Sequence, residues 1–410
     1  MLDPKDASNL KGMDLILHEN QKILRESARA FVKKNGGPAA FRANSAQEVG
    51  FDRGRLEAAA AEGWFRLLVS PSRKGLGLGL TELALVMEAA GAGLMTEPIA
   101  EMAVSAWAIS NGRAATGLGQ VLIELMEGKR IVIPAIRDSV FPPEHGPGII
   151  STNEHHGYQL TGETPAVPIP DLVDDYLVNA ETQEGTLVFS VTRHGAGLIS
   201  EVISRTDGIT TGKIDFPGVF LVEEALVAGR EQGGKIAMQI YDRVLIGHVA
   251  EMLGVMTGAM ELTLDYVGTR EQFGRAIGSF HVIQHRIADD SMGLEVTRSL
   301  LYETCRAFDE GRGRRAMVAA LKAHASEAVL KIAKSAIQLH GAIGFADEHD
   351  AGLFLKRAMG LAVQYGTSSE HRRRFEYLSG EEPDDSHPSK KTKRRSKKRR
   401  RSIFSGMSGS

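Results

Sequence analysis

The last third of the chain holds two short stretches whose residue types and spacing could do chemistry. The first reads Tyr266-Val-Gly-Thr-Arg-Glu-Gln-Phe-Gly-Arg275 and continues Ala-Ile-Gly-Ser-Phe280. Its glycines expose backbone where one long helical pattern ends and the next begins, with a guanidinium beside them. Such a corner can hold an anion: Arg270 offers paired donors to a pyrophosphate, Gln272 an amide to a polar ring edge, and Phe273 a flat face for stacking. The same Arg-Glu pair beside a helix end also reads as an ordinary surface ion pair. The second stretch, Gln338-Leu-His-Gly-Ala-Ile-Gly-Phe345 followed by Asp347-Glu-His-Asp350, closes an amphipathic pattern with Gly341 and Gly344. A glycine helix stop leaves backbone groups free to contact a ligand. His340, Glu348, His349 and Asp350 lack the spacing of a helical metal motif with a third ligand, so no metal is expected. Gly75-Leu-Gly-Leu-Gly79 has neither the preceding strand nor the spacing of a dinucleotide fingerprint, and reads as a connection between helices.

The elements around these stretches fall into three blocks. From Asp14 to Val32 the apolar positions Ile16, Leu17, Ile23, Leu24, Ala28, Phe31 and Val32 keep a helical period. Helical patterns follow at Asp52–Glu62, Thr81–Ala92 and Glu97–Asn111, and Gly128 ends another. The text then changes to short Val/Ile/Leu/Tyr/Phe runs between Pro, Gly, Asp and His breakers: Arg130–Ile136, Gly157–Gly162, Asp175–Asn179, Thr186–Thr192 and Gly218–Val222. No helical pattern between them is long enough for a βαβ crossover, which favours an antiparallel barrel or sandwich. After Gly234 long helical stripes return, through Val249, Leu253, Met256 and Met260, and through Leu321, Ala325, Ala328, Ile332, Ala336 and Leu339. The expected fold is α+β and mainly α: a helical N-terminal domain (1–127), a middle antiparallel β domain (128–234), a C-terminal four-helix bundle (235–379) and a disordered basic tail (380–410).

The 410 residues, 42% apolar and 24% charged, read as an ordinary soluble protein of two or three domains. No uninterrupted apolar run reaches the ~18–20 residues that span a bilayer, and Met1 to Gly12 lacks an apolar signal core, so a cytoplasmic location is expected. The single Cys305 allows no internal disulfide and no cysteine zinc site. The net charge of −2 conceals ten Lys/Arg between Lys390 and Arg401; residues 1–389 carry 39 basic against 51 acidic side chains, a formal −12. A body this acidic is not built for phosphate backbones, and no nucleic-acid partner is expected. The tail alone keeps a nucleic-acid or membrane-surface role open beside the reading of a solvated extension.

The two stretches, together with Gly63-Trp64, the Gly75–Gly79 loop and the order helical, β, helical, resemble the acyl-CoA dehydrogenase family over about residues 14–378. The resemblance implies FAD between the β domain and the C-terminal bundle, with both motifs reaching the FAD of a partnering subunit, so that cofactor binding requires a homo-oligomer or hetero-oligomer. It places Arg270 at the pyrophosphate, Gln272 and Phe273 against the cofactor, Gln338 and Gly341 at its adenosine side, and Thr367 among the cofactor contacts. The implied chemistry removes an α proton and a β hydride from an acyl-CoA thioester, giving a trans-2-enoyl product, with electron-transfer flavoprotein as acceptor.

Three departures qualify the resemblance. The family's usual catalytic glutamate lies within Tyr-Glu-Gly-Thr, whereas this chain reads Gln364-Tyr365-Gly366-Thr367. A tyrosine with an ordinary pKa near ~10 is mostly protonated at neutral pH and replaces a carboxylate base poorly, so Tyr365 reads as a packing or hydrogen-bonding residue. Some members carry the base on the helix before the Arg motif, where this chain has Tyr241-Asp242-Arg243. Asp242 is therefore the candidate catalytic base, with a helix-start carboxylate as the alternative reading. Finally, Arg137–Pro143 and Pro165–Pro168 differ from the family's flavin-covering loops. This pattern resembles the smaller subunits of heteromeric acyl-CoA dehydrogenases, including those acting on dicarboxylic or steroid side-chain thioesters. The expected function is an FAD-dependent acyl-CoA dehydrogenase, alone or as one subunit of a heteromer; the alternative is a catalytically inactive subunit that is structural or shares FAD.

Overall fold

The computed structural model describes residues 17–45, 50–112, 117–138, 148–154, 157–194 and 197–381. The tail from Lys390, most of the 137–143 loop and the expected helical residues Asp14 to Ile16 lie outside this set.

The chain opens with α1 (Glu19–Asn35), α2 (Pro38–Ser45), α3 (Arg53–Ala61), α4 (Leu80–Ala92), α5 (Ile99–Asn111) and α6 (Gly119–Met126). In α4 and α5 most side chains are buried, Glu88 and Glu101 among them, as in helices enclosed on nearly all sides. Gly75 joins this layer by close approach: a Cβ there would lie 2.0 Å from the Val69 carbonyl oxygen. The Gly75–Gly79 loop thus connects helices, as its spacing predicts.

Among the described residues, nine strands form one sheet: β1 (Val132–Ala135), β2 (Ile149–Glu154), β3 (Gly157–Glu163), β4 (Val167–Pro168), β5 (Asp175–Thr182), β6 (Gly185–Thr192), β7 (Ile199–Ser204), β8 (Thr210–Leu221) and β9 (Leu226–Ala228). The order is β4-β8-β3-β2-β5-β6-β9, with β1 on β5 and β7 on β8. The sheet is mixed, which corrects the antiparallel expectation. β1 and β2 both run parallel to β5, pairing Val132 with Asp175 and Ile149 with Ala180. A parallel pair needs a crossover. Here the path from β1 to β5 passes through β2, β3 and β4 rather than through a helix, so no helical period reveals it.

The third layer comprises α7 (Gly233–Thr269), α8 (His281–Asp309), α9 (Arg315–His340), α10 (Ala351–Val363) and α11 (Ser368–Glu381), five helices where four were expected. The loop at Gln364–Thr367 divides the last stretch in two. Among the described residues α7 alone is long and apolar enough to cross a membrane, and 89% of that apolar window is buried inside the molecule. α7 can serve as the central helix because it approaches α4 at glycines. A Cβ on Gly254 would lie 2.1 Å from the Glu88 carbonyl oxygen, and one on Gly91 2.1 Å from that of Glu251. A single apolar cluster, from Ala28 to Ala362, runs through all three layers and fixes them against one another.

Candidate functional site

The two glycine-containing stretches lie side by side because α7 packs on α9. Tyr266, in the last turn of α7, stacks on His340, the last residue of α9, with ring centroids 4.4 Å apart and planes 26° from parallel. The Tyr266 hydroxyl donates to the His340 carbonyl at 3.3 Å. The His340 ring Nδ1 faces the Ala336 carbonyl at 2.7 Å, which assigns the proton to Nδ1. Burial lowers its pKa, the Ala336 carbonyl raises it, and neighbouring His349 lowers it again, leaving it below the usual histidine range.

Beyond α7 the chain makes a hairpin of two-residue strands, β10 (Glu271–Gln272) and β11 (Arg275–Ala276), pairing Gln272 with Arg275. Its turn residues Phe273 and Gly274 have φ of 55° and 78°, as a type I′ turn requires. Phe273 is 93% exposed at the tip, and the Arg275 guanidinium lies 4.2 Å over the Phe280 ring. Arg270 and Gln272 are exposed, and Arg270 makes no ion pair among the described residues. Across from the hairpin, Gly341 has φ 66° with open space where a Cβ would stand, Gln338 is exposed, and Phe345 is 82% exposed.

A second site forms at the Gln364–Thr367 loop, where all three layers converge. From the sheet, Arg205 donates to Gln364 Oε1 at 2.5 Å, and its guanidinium pairs with Asp207, which Arg357 also reaches at 3.0 Å. The Tyr365 carbonyl accepts from the Tyr241 hydroxyl and His371 Nε2, each at 2.9 Å. Fully buried Lys322 donates to Ser326 Oγ at 3.0 Å and to the carbonyls of Leu361, Ala362 and Gly366 at 3.1, 3.3 and 3.3 Å. Thr367 directs its N–H and its hydroxyl to Glu370 Oε2, each at 2.7 Å, and so caps α11. So tethered, Tyr365 adopts φ 59°, an uncommon conformation for a side-chain-bearing residue.

The Tyr365 hydroxyl points into the first layer and donates to Glu101 Oε1 of α5 at 3.2 Å. His248 Nε2 of α7 meets the same oxygen at 2.8 Å, and its ring packs edge-on against the Tyr365 ring at 4.8 Å. Burial raises the Tyr365 phenol well above its usual pKa, and Glu101 raises it further, so the phenol stays protonated. Burial also works to raise the Glu101 carboxyl, but His248 outweighs it, with help from the Tyr365 hydrogen bond, and holds it below the usual range.

Asp242 occupies a different setting from the helix-start position considered above, since it lies in the third turn of α7. It belongs to a ring of four charges in which Asp138, Asp242 and Arg374 are buried and Arg315 is half-buried. Arg374 Nη2 meets Asp242 Oδ1 at 2.5 Å, Arg374 Nε meets Asp138 Oδ2 at 2.6 Å, and Arg315 bridges back to Asp138 Oδ1 at 2.8 Å and Asp242 Oδ2 at 3.2 Å. Burial raises the Asp242 pKa against the pull of both guanidiniums. No group of three or more potential metal ligands forms among the described residues.

The N-terminal domain model of acyl-CoA dehydrogenases matches residues 18–113, and the C-terminal domain model matches residues 231–375. The chain belongs to the acyl-CoA dehydrogenase family. The acyl-CoA dehydrogenase IpdE2 of Mycobacterium tuberculosis is 28% identical over 378 residues, covering 89% of this chain and 99% of its own. Isovaleryl-CoA dehydrogenase of Solanum tuberosum is 25% identical over 386 residues, covering 87% and 90%. Among solved structures, the ChsE4–ChsE5 complex from Mycobacterium tuberculosis matches with a TM-score of 0.82 at 24% identity, covering 90% of this chain and 100% of that one. Butyryl-CoA dehydrogenase from Megasphaera elsdenii matches with a TM-score of 0.76 at 20% identity, covering 89% and 98%. These structural likenesses establish the acyl-CoA dehydrogenase fold for the chain, and family membership makes it an oxidoreductase acting on CH–CH bonds.

The residues present fit the flavin dinucleotide associated with acyl-CoA dehydrogenases. A guanidinium outside any ion pair among the described residues, two phenyl rings presented to solvent and a glycine backbone open to close approach lie on the two stretches that the Tyr266–His340 stack brings side by side. These are a cation for a pyrophosphate, stacking planes for rings and room for a ligand against the main chain. Thr367 differs from the other expected cofactor residues, because its hydrogen-bonding groups already cap α11.

Sequence reasoning did not single out Glu101, His248, Lys322 or Arg374. A signal for the first two existed: each is a lone polar side chain inside an otherwise apolar helical run, as in Ile99-Ala-Glu-Met-Ala-Val104 and Val244-Leu-Ile-Gly-His-Val249. Such a residue is buried with the helix and must find a partner there.

Proposed function

We propose that the chain is an FAD-dependent acyl-CoA dehydrogenase subunit that converts an acyl-CoA thioester to its 2-enoyl-CoA, passes electrons to an electron-transfer flavoprotein, and works in an assembly with a second chain. The observation that carries this reading is the Tyr266–His340 stack, which holds together the helix ends that lead into the hairpin at Phe273 and the turn at Gly341. FAD, when bound, supplies the acceptor for the β hydride. In this reading Arg270 neutralises the pyrophosphate, Gln272 and Phe273 hold a ring system, and Gln338 and Gly341 meet the adenosine side. Thr367 acts by fixing the start of α11 beside the Gln364–Thr367 loop. A face this open needs a neighbouring subunit to exclude water from the cofactor. The IpdE2 likeness and the two-chain composition of the ChsE4–ChsE5 complex support a heteromer.

The test is the visible absorption spectrum of the purified chain, alone and co-purified with its partner dehydrogenase chain, before and after addition of acyl-CoAs. Flavin bands that bleach on acyl-CoA addition are expected in the assembled form, with flavin content falling in Arg270→Ala. One observation favours a second reading, a subunit that shares FAD without abstracting a proton: the residue at the usual base position is a phenol held neutral. Flavin that binds without bleaching under any acyl-CoA would favour this second reading.

A further inference from the structure

Three aromatic rings from three elements meet at the helix ends that carry the two glycine-containing stretches. Tyr266 lies in the last turn of α7, His340 ends α9, and His349 stands on the segment that leads into α10. His340 is at the centre. Its ring lies 4.4 Å from that of Tyr266 and 4.7 Å from that of His349, which meets Tyr266 edge-on at 6.4 Å. The Gly341–Phe345 turn folds back over it so closely that a Cβ on Gly344 would lie 3.0 Å from the His340 Cβ. His340 is thereby left 3% exposed.

The hydrogen bonding of this ring suits a single protonation state. Nδ1 donates to the Ala336 carbonyl at 2.7 Å, whereas Nε2 is buried with no hydrogen-bond partner among the described residues. A neutral imidazole meets both conditions. A second proton, on Nε2, would bury a charged N–H that has no acceptor. The elements packed around the ring bring no printed carboxylate contact to it. α7 presents the Tyr266 phenol, α9 the Ala336 carbonyl and the following segment His349, a second imidazole. The acids of that segment are engaged elsewhere or face solvent: Asp347 pairs with Lys356 at 2.9 Å, Asp350 pairs with Arg42 at 2.6 Å, and Glu348 is exposed. Asp265 and Glu271, on either side of Tyr266 in the chain, are exposed as well. Burial accordingly lowers the His340 pKa, and His349 lowers it further against the pull of the Ala336 carbonyl.

We propose that His340 is an acid-sensitive latch: neutral, it holds the Arg270 and Gln338 stretches side by side, and its protonation lets them separate and release a bound flavin dinucleotide. The link to flavin rests on the cofactor reading above, whereas the latch is a property of the helix ends of this chain. The closed form keeps the His340 pKa below the ordinary histidine value of 6.5, and the opened form restores it. Between these values the opened form binds more protons, so closure strengthens as pH rises through that window and weakens as pH falls through it.

The experiment measures flavin retention against pH in the assembled, flavin-loaded protein, with released flavin read by its fluorescence. Retention is expected to be flat near neutral pH and to fall by up to ~tenfold per pH unit once His340 titrates, as one linked proton requires. His340→Phe keeps a ring for Tyr266 but takes no proton, and is expected to lose this dependence. His349→Phe removes the neighbouring imidazole, so the midpoint is expected to move to higher pH. A wild-type pH dependence in flavin-loaded His340→Phe overturns the proposal. Should that variant not fold or assemble, an unmoved midpoint in His349→Phe overturns it equally. Amide hydrogen exchange of the full chain without flavin separates the latch from the cofactor. After correction for the intrinsic pH dependence of exchange, peptides spanning 266–276 and 338–345 are expected to open on acidification in the wild type. If the wild type binds no flavin at any pH but shows this opening, the cofactor reading falls and the latch stands; peptides equally protected above and below the histidine range refute the latch even if flavin binds.

Discussion

Lys322 donates to the carbonyl of Gly366 across 3.3 Å, so a fully buried amine on α9 holds the glycine that follows Tyr365. The same nitrogen reaches the carbonyls of Leu361 and Ala362, which close α10. A buried amine at a helix C-terminus donates to carbonyls that have no partner within the helix. One side chain thereby fixes both the end of α10 and the loop that depends on it.

Replacing Lys322 by Met leaves these carbonyls buried without their donor and is expected to destabilise the protein by about 1–3 kcal/mol. The effect should depend on pH. Burial lowers the Lys322 pKa to about 7, opposed by the Glu370 carboxylate, from an ordinary value of 10.5. Between these values the unfolded chain binds more protons than the folded one, so the Lys322 contribution to stability rises as pH rises through that window. Lys322→Met should therefore cost more at pH 9 than at pH 7. Chemical denaturation of both proteins at the two pH values checks this, and an equal cost at both refutes the linkage.

Asp242→Asn removes a charge from the ring formed with Asp138, Arg315 and Arg374 while keeping side-chain shape. Breaking one partner of a buried ion pair typically costs about 3–5 kcal/mol, because the remaining charge is left uncompensated. A marked fall in melting temperature is expected. In flavin-loaded protein that survives the substitution, exchange of the substrate α proton at the wild-type rate marks Asp242 as a structural carboxylate, and its loss marks Asp242 as the base.

Gly254→Ala sets a methyl group 2.1 Å from the Glu88 carbonyl oxygen and forces α7 away from α4. Overpacking of this kind costs roughly 1–3 kcal/mol. The measurement is again thermal melting, with Gly268→Ala as the control, because a Cβ at Gly268 meets nothing within 4 Å.

Phe273→Gly should separate folding from cofactor binding. Phe273 holds φ 55°, which costs a side-chain-bearing residue about 1 kcal/mol and costs glycine nothing. At 93% exposure the ring has little packing to lose. Melting temperature in the flavin-free protein should hold or rise, while flavin retention in the assembly falls. A variant that keeps its flavin in full would remove Phe273 from the cofactor face.

The sequence by itself determined the three-layer order, most helices of the first and third layers, and the two stretches around Arg270 and Gln338, because these rest on local properties. A helical stripe, a glycine stop and a guanidinium beside exposed backbone are all written within a dozen residues. The mixed sheet, the Phe273–Gly274 hairpin and the convergence on Tyr365 were decided only by tertiary structure. β1 meets β5 some forty residues later, Lys322 meets Gly366, and Glu101 meets Tyr365 across 264 positions. Asp242 illustrates the difference most plainly. Its residue type and place in the chain suited a base, but two arginines from distant helices take up both of its oxygens. A carboxylate's chemistry depends on which of its oxygens remain unbonded, and that follows from packing among helices whose relative placement no local pattern encodes.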